Sequence, residues 1–266
     1  MITEAEFKIL SENAKKFKYS RFEYWEYSDE IACANIIRND DKLILVSREI
    51  DEIDKITDIY FAADNAANVT DALKDVKEDI QIGFVPSDLV EAFENTGFVV
   101  WSEWIDFFNN DINNTPTEFN EYDAIQFLKP DENFDVYIKD MTTIGADLSR
   151  GFTEEKAEWF IEWARDNDII IIKDGDFLVG ICCVSVYDNR NTVWIRRIAV
   201  KSEYQGRGFG KKLMEQALVY GINKGAKRAF LAADTLNTNA IALYKKCGFI
   251  PQSDRGEITM KRLNVK

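Results

Sequence analysis

The feature that most constrains this chain is a β-prone run ending in a glycine-rich turn. The run is Thr192 to Val200. The turn and the opening of the next helix read Lys201-Ser202-Glu203-Tyr204-Gln205-Gly206-Arg207-Gly208-Phe209-Gly210-Lys211-Lys212. Glycine permits positive φ and close approach of the backbone to a ligand. The first amides of a helix lack intrahelical partners and carry the positive end of its dipole. A strand, such a turn and a helix therefore aim several N–H groups into one concavity, which suits phosphate. Side-chain charge agrees: Arg196, Arg197, Lys201, Arg207, Lys211 and Lys212 lie in this stretch, with Glu203 the one acid among them.

That basic patch is opposite in sign to the rest of the protein. The net charge is −14, from 47 acids and 33 bases. An acidic surface repels nucleic-acid phosphates and anionic lipid, so neither nucleic acid nor membrane is expected as a partner. It tolerates, and can steer, a cationic acceptor such as an amine. The 46% hydrophobic and 13% aromatic content of the 266 residues suits a packed core. The length fits one large domain or two modest ones. The first residues show neither the basic start nor the apolar stretch of a secretory signal. The longest near-apolar run, Phe177 to Val186, is interrupted by Gly180 and Ser185 and is far short of the ~20 residues that span a bilayer. A cytoplasmic location is the expectation. Cys33, Cys182, Cys183 and Cys247 match no zinc or disulfide spacing and read as buried reduced thiols, Cys182 and Cys183 on opposite faces of a strand. The chain has no histidine, which removes the usual general base and most catalytic zinc sites. No metal is expected.

Periodicity sets out the other elements. A helix is expected over Glu4 to Phe17, with strands at Ile31 to Ile37, Lys42 to Arg48 and Thr57 to Ala63. Then come a helix at Val69 to Val76, a strand at Gln81 to Val85, and a helix capped by Asp88 and stopped by Gly97. Val99 to Phe108 is β-prone. The polar run Asn109 to Thr117 reads as a domain boundary, giving domains 1–117 and 118–266. The second half predicts a strand at Ala124 to Leu128 and helices at Val136 to Leu148 and Glu154 to Arg165, the latter capped by Thr153. A hairpin of Asp168 to Ile172 and Phe177 to Tyr187 turns at Asp174-Gly175, a type I′ signal. Arg228 to Ala233, Thr238 to Lys246 and Glu257 to Arg262 read as strand, helix and strand. Strands alternating with helices imply an α/β class with a mixed sheet.

The glycine turn is neither a dinucleotide fingerprint, since Leu213 stands three after Gly210, nor a P-loop. Its pattern is Gln205-x-x-Gly208-x-Gly210, which resembles the pyrophosphate loop of the GNAT-type N-acetyltransferase superfamily. Downstream, Asn237-Thr238-Asn239-Ala240-Ile241-Ala242-Leu243-Tyr244-Lys245-Lys246-Cys247-Gly248-Phe249 resembles the N-x-x-A-x-x-L-Y-x-x-x-G-F helix of the same superfamily. The likeness covers about Ile169 to Phe249 and weakens back to Ala124.

The resemblance implies that acetyl-CoA, as co-substrate, lies where the strand before the loop parts from its neighbour. By position, Ile198, Ala199 and Val200 supply the strand edge for pantetheine. Gln205 and the backbone of Gly206, Arg207, Gly208, Phe209, Gly210 and Lys211 form the pyrophosphate loop. Asn237 falls on a pantetheine-contacting asparagine, and it also reads as an ordinary helix cap. Tyr244 falls on the general acid, and it also reads as an aromatic on an apolar helix face. The implied reaction is transfer of acetyl to a primary amine, borne by a small molecule or peptide. Asp234, Tyr187 and Asp188 stand as candidate bases beside a water chain, with no choice among them. A non-catalytic acetyl-CoA sensor and transfer of a longer acyl group are the alternatives.

The first half reads as a degraded copy, so two tandem GNAT-like domains are expected, each a mostly antiparallel mixed sheet with helices on both faces. Asp88 to Phe98 aligns without gaps on Asn239 to Phe249. Phe93 falls on Tyr244, and Pro86 on Asn237. The loop after the strand ending at Ala63 reads Asp64-Asn65-Ala66-Ala67-Asn68, without glycine or base.

Overall fold

The structure, a computed structural model, describes residues 1–24, 27–49, 56–115, 125–128, 134–146 and 157–263. Its contacts divide the chain into two units: Met1–Trp104 with Gly256–Lys266, and Ile105–Arg255. The boundary expected after Thr117 and the cap expected at Thr153 lie outside the described residues.

The elements of the first half are α1 (Glu4–Ala14), β1 (Tyr19–Ser20), α2 (Asp29–Ala32), β2 (Asn35–Asn39), β3 (Leu43–Glu49), β4 (Ile56–Ala63), α3 (Ala66–Leu73), β5 (Asp79–Ile82), α4 (Val90–Glu94) and β6 (Val99–Asn109). The second half adds β7 (Ile125–Leu128), α5 (Phe134–Ala146), α6 (Ala157–Asp166), β8 (Asp168–Asp174), β9 (Phe177–Tyr187), β10 (Thr192–Val200), α7 (Phe209–Asn223), β11 (Arg228–Asp234), α8 (Thr238–Lys246) and β12 (Ile250–Arg262).

In the first unit β2, β3 and β4 pair antiparallel, while β4 and β5 run parallel over Ile56–Asp58 and Asp79–Gln81 only. The end of β12 closes this unit, Met260 lying antiparallel to Ile82. Phe7, Leu10 and Ala14 of α1 cover one sheet face with Ile44, Val46 and Tyr60. Val69 and Leu73 of α3 and Phe93 of α4 cover the other with Leu45, Ile59 and Phe61. A strand covered on both faces loses its alternation, which is why β3 and β4 read as continuous apolar runs.

The second unit follows the same plan. β7, β8, β9 and β10 pair antiparallel, and β10 runs parallel to β11. α7 packs Leu213, Met214, Ala217 and Leu218 on Cys182, Val184, Val193 and Ile195. Burying such leucine and methionine side chains contributes about 1.5–3 kcal/mol each before entropy is counted. α5 and α6 bring Met141, Ile144, Phe160 and Ala164 to the opposite face, against Ile169, Ile171, Ile181 and Cys183. Cys182 and Cys183 thus face opposite layers, as the strand period requires. Gly180 and Gly221 allow the close approach: a Cβ on Gly221 would stand 2.6 Å from Val193 Cγ1.

Four local expectations change. The strand expected over Ile31–Ile37 is instead the short helix α2 followed by β2. Asp88 does not cap a helix: its carboxylate accepts a hydrogen bond from the Tyr19 hydroxyl, and a 3₁₀ turn at Ser87–Leu89 precedes α4. The β8–β9 loop is Gly175-Asp176, with positive φ at Gly175 alone, so it is not the type I′ turn, which needs positive φ at both central residues. Cys33 is exposed rather than buried, and all four cysteines are free. No described helix is long and apolar enough to cross a membrane.

Candidate active site

β10 and β11 pair over Thr192↔Arg228, Val193↔Ala229 and Trp194↔Phe230, and there the ladder ends, although β10 continues to Val200 and β11 to Asp234. On its other side β10 keeps pairing with β9 to Val200↔Gly180, with a bulge between Ile195 and Arg197. A bulge bends one strand and sharpens its twist. The edge of Ile198, Ala199 and Val200 therefore faces away from β9 with no paired strand on its β11 side. Ile198 and Val200 pack toward the α7 layer, and Ala199 toward α5 and α6.

The turn follows directly. Gly206 has φ +74° and Gly208, the residue before α7, has φ +86°. A Cβ at either would meet nothing within 4 Å, so both positions open onto free space. Gly208 caps α7 without a side chain, leaving the amides at the start of a 15-residue helix to an external acceptor. Gly210 packs against Leu243 of α8. Gln205 reaches back to the Val200 carbonyl at 3.0 Å and ties the turn to the strand end. This open cradle of amides at a helix N-terminus suits an anion such as a phosphate.

The loop cations are committed elsewhere. Arg207 pairs with Asp174 at 2.9 Å, Lys201 with Asp140 at 3.2 Å, and Lys211 with the buried Glu215 at 3.4 Å. Main-chain N–H groups, rather than a cage of side chains, are what the turn offers an anion. Phe209 stacks edge-on with Tyr204.

Tyr244 lies on α8 in the layer that holds α7, 7% exposed, with Phe107 and Phe249 at ring distances of 6.1 and 6.3 Å. Burial pushes its phenol well above the ordinary range, and Cys182 and Cys247 add to the effect. Burial, with Glu215, likewise pushes the Cys247 thiol up to about 11. Gly248 at φ +80° ends α8, with the Phe249 amide donating to the Tyr244 carbonyl at 3.0 Å. Asn109 secures that end, its amide donating to the Cys247 carbonyl at 3.0 Å and to Thr115 at 2.7 Å. Asn237 acts as the helix cap, its oxygen accepting from the Ala240 amide at 3.2 Å.

The candidate bases separate. Asp188 is held by Arg228 at 2.5 Å, at the end where β10 and β11 are still paired. Tyr187 stands edge-on to Trp194. Asp234, 8% exposed, accepts from the Leu236 amide at 2.8 Å in the turn after β11. The sequence reading missed the aromatic grouping of Phe108, Phe230, Trp194 and Tyr187, with Arg196 lying over the rings of Trp194 and Trp163. Alternation along Thr192 to Val200 was the signal, because Trp194 and Arg196 both fall on the face away from α7.

In the first unit, α3 begins with Asn65 as an ordinary side-chain cap, its oxygen accepting from the Asn68 amide at 3.1 Å. Phe93 is fully buried between Phe61 and Phe98. A cavity of about 380 Å³ beside the end of β4 is lined by Asp40, Asp41 and Asp64, with Lys16 its one cation, so its charge is net acidic. Among the described residues no group of side chains has the makeup of a metal site.

A mixed sheet whose parallel pair parts above a glycine turn, with helices on both faces, defines an acyltransferase-type fold. Two family models match the chain: the acetyltransferase (GNAT) family over residues 131–249, and the uncharacterised protein family UPF0158 over residues 37–181. The second match spans more than half of the chain, which therefore belongs to that family, and the C-terminal region is a GNAT acetyltransferase domain. It is 32% identical over 106 residues to a mycothiol acetyltransferase of Corynebacterium efficiens, covering 40% of this chain and 34% of that one. It is 36% identical over 84 residues to a spermine/spermidine N(1)-acetyltransferase of Bacillus subtilis, covering 29% and 54%. The chain thus spans about a third of the first of these relatives and about half of the second. Among solved structures, a GCN5-related N-acetyltransferase from Sphaerobacter thermophilus superposes with a TM-score of 0.60 at 12% identity, covering 84% of this chain and 78% of that one. A GNAT-family acetyltransferase from Colwellia psychrerythraea gives 0.56 at 9% identity, covering 99% and 98%. These two show the fold.

Proposed function

We propose that this protein transfers an acetyl group from acetyl-coenzyme A to a primary amine of a small molecule. The observation that carries the reading is the parting of β10 from β11 after Trp194↔Phe230, directly above the open glycine turn. In this reading Ile198, Ala199 and Val200 bind pantetheine along the strand edge. The amides of Gly206 to Lys211 hold the diphosphate, and the free end of the Asn237 amide group adds a contact. The donor supplies an activated thioester. The amine adds to the carbonyl, the C–S bond breaks, and Tyr244 gives its proton to the departing sulfur. A strand amide near Ile198 steadies the charge on the carbonyl oxygen.

The raised pKa of Tyr244 keeps it protonated through the physiological range. An ordinary thiol, near pKa ~8.5, is too weak a base to take that proton readily. A thiolate leaving toward the same buried layer loses solvation and gains basicity, which narrows the gap to the phenol.

The relatives named for mycothiol and for spermine and spermidine support a small amine as acceptor. The first unit is read as a degenerate copy of the second: it repeats the pairing of a short parallel ladder, yet has a capped helix start and Phe93 in place of a phenol. Four free cysteines suit a reducing, cytoplasmic setting.

The test is thiol release from acetyl-CoA over a panel of amines, with calorimetry of coenzyme A binding. Tyr244→Phe is expected to lower turnover by about 10²–10⁴-fold with coenzyme A affinity unchanged. Absence of coenzyme A binding by the intact protein would refute the proposal, and unchanged turnover would remove Tyr244 from the chemistry.

A further inference from the structure

The face of the second unit's sheet that carries α5 and α6 holds an aromatic shelf. Val193 and Ile195, Ala229 and Leu231, and Phe107 all point into the α7 layer. Their strand neighbours Trp194, Phe230 and Phe108 therefore point to the other face. There Phe108 and Phe230 lie 5.0 Å apart, Phe230 and Trp194 6.0 Å, and Trp194 and Tyr187 6.1 Å. Tyr187 is 41% exposed, and the other three are half-buried. Partly accessible rings gathered from β6, β9, β10 and β11 offer one continuous surface on which a planar ligand can stack. The shelf also stands where the β10–β11 ladder ends, since Trp194↔Phe230 is its last pair.

Arg196 decides what the shelf takes. Its exposed guanidinium lies 4.6 Å from the Trp194 ring and 5.6 Å from the Trp163 ring of α6. Aromatic faces attract cations, and here both indoles already hold the protein's own cation. A polyamine would meet a fixed positive charge at the rim. A carboxylate would meet a planar set of donors suited to it.

Resting on the acetyl-transfer reading above, we propose that the acceptor is an aromatic amino acid or a compound of that chemistry. Its ring lies on Trp194, Phe230 and Phe108. Its carboxylate bonds Arg196, and its α-amine reaches the thioester at the parting of the strands. The nitrogen gains a C–N bond to the acetyl carbon and loses a proton to solvent, while the sulfur departs and takes a proton.

Calorimetric titration of the intact protein with L-phenylalanine, 2-phenylethylamine and spermidine, with and without coenzyme A, tests this. L-phenylalanine is expected to bind about 10-fold more tightly than 2-phenylethylamine, and spermidine most weakly. Trp194→Ala should weaken both aromatic ligands at least 10-fold and leave coenzyme A affinity unchanged, and Trp194→Phe should keep most of the binding. Arg196→Gln should abolish the difference between the two aromatic ligands. Tighter binding of spermidine, or Trp194→Ala binding like the parent, overturns the inference. Thiol release is scored separately: coenzyme A bound but no release on any amine defeats the acetyl-transfer reading, while the titrations still decide the shelf.

Discussion

Replacing Gly221 with alanine sets two opposed effects against each other within one side chain. Gly221 sits in α7, and alanine in a helix interior is favoured over glycine by about 1 kcal/mol. The new Cβ would stand 2.6 and 2.7 Å from Val193 Cγ1 and Cβ, about 0.8 Å inside ordinary contact at 3.4 Å. Both partners are fixed, Val193 in a strand at 0% exposure and Gly221 on a helix packed over it. Overpacking of this kind costs about 1–3 kcal/mol, so a net loss near 1 kcal/mol is expected. Urea unfolding followed by tryptophan fluorescence reads it directly, since Trp163 and Trp194 belong to the same unit. Val193→Ala removes Cγ1 at 2.6 Å and Cγ2 at 3.3 Å but keeps Cβ at 2.7 Å, so the double variant should show a favourable but partial coupling, below about 1 kcal/mol, relative to the two single changes. A Gly221→Ala protein more stable than the parent, or strict additivity with Val193→Ala, would refute the account of how α7 is seated.

Gly208→Ala places a β-carbon in a left-handed conformation at a cost of about 1–2 kcal/mol, and relaxation of the turn should weaken coenzyme A binding about 10-fold by calorimetry, with Gly208→Asn milder because asparagine tolerates that region. Asn109→Ala removes the hydrogen bonds to Cys247 and Thr115 and should cost about 1–3 kcal/mol in urea unfolding. The thiol of Cys247 is raised in the folded state from 9.0 to about 11, so its contribution is complete below pH 9 and is lost as pH climbs to 11. Stability should fall across that window by roughly 2–3 kcal/mol from this group, and Cys247→Ala should flatten the slope measured by urea unfolding at successive pH values.

The elements most legible in the sequence were those with a strong local pattern. Thr192–Val200 and Thr238–Lys246 appear with the bounds read from periodicity, and the turn between them carries its positive φ at two of its glycines. Ile31–Ile37 was misjudged because three apolar residues surrounding Ala32, Cys33 and Ala34 suit a short helix as well as a strand, and tertiary packing of Ile31 decides. Charge was the least transferable signal. The basic residues around the turn read as support for a local anion site, yet Arg207, Lys201 and Lys211 each find a carboxylate from an element remote in sequence or one helical turn away. Such pairings depend on the hairpin tip at Asp174 and on α5, and no local pattern encodes them. The aromatic shelf was hidden for the same reason: its members come from four strands and one helix.

The first unit is built from two stretches far apart in the sequence, because the last residues of β12 lie beside β5. A ribosome that has finished the first hundred residues has therefore not yet made the strand that completes their sheet. Met260 enters the core of this unit only after the entire second unit has been synthesised. Cutting the gene between its halves would leave the leading fragment with the edge of β5 bare, an invitation to pair with whatever strand is nearest.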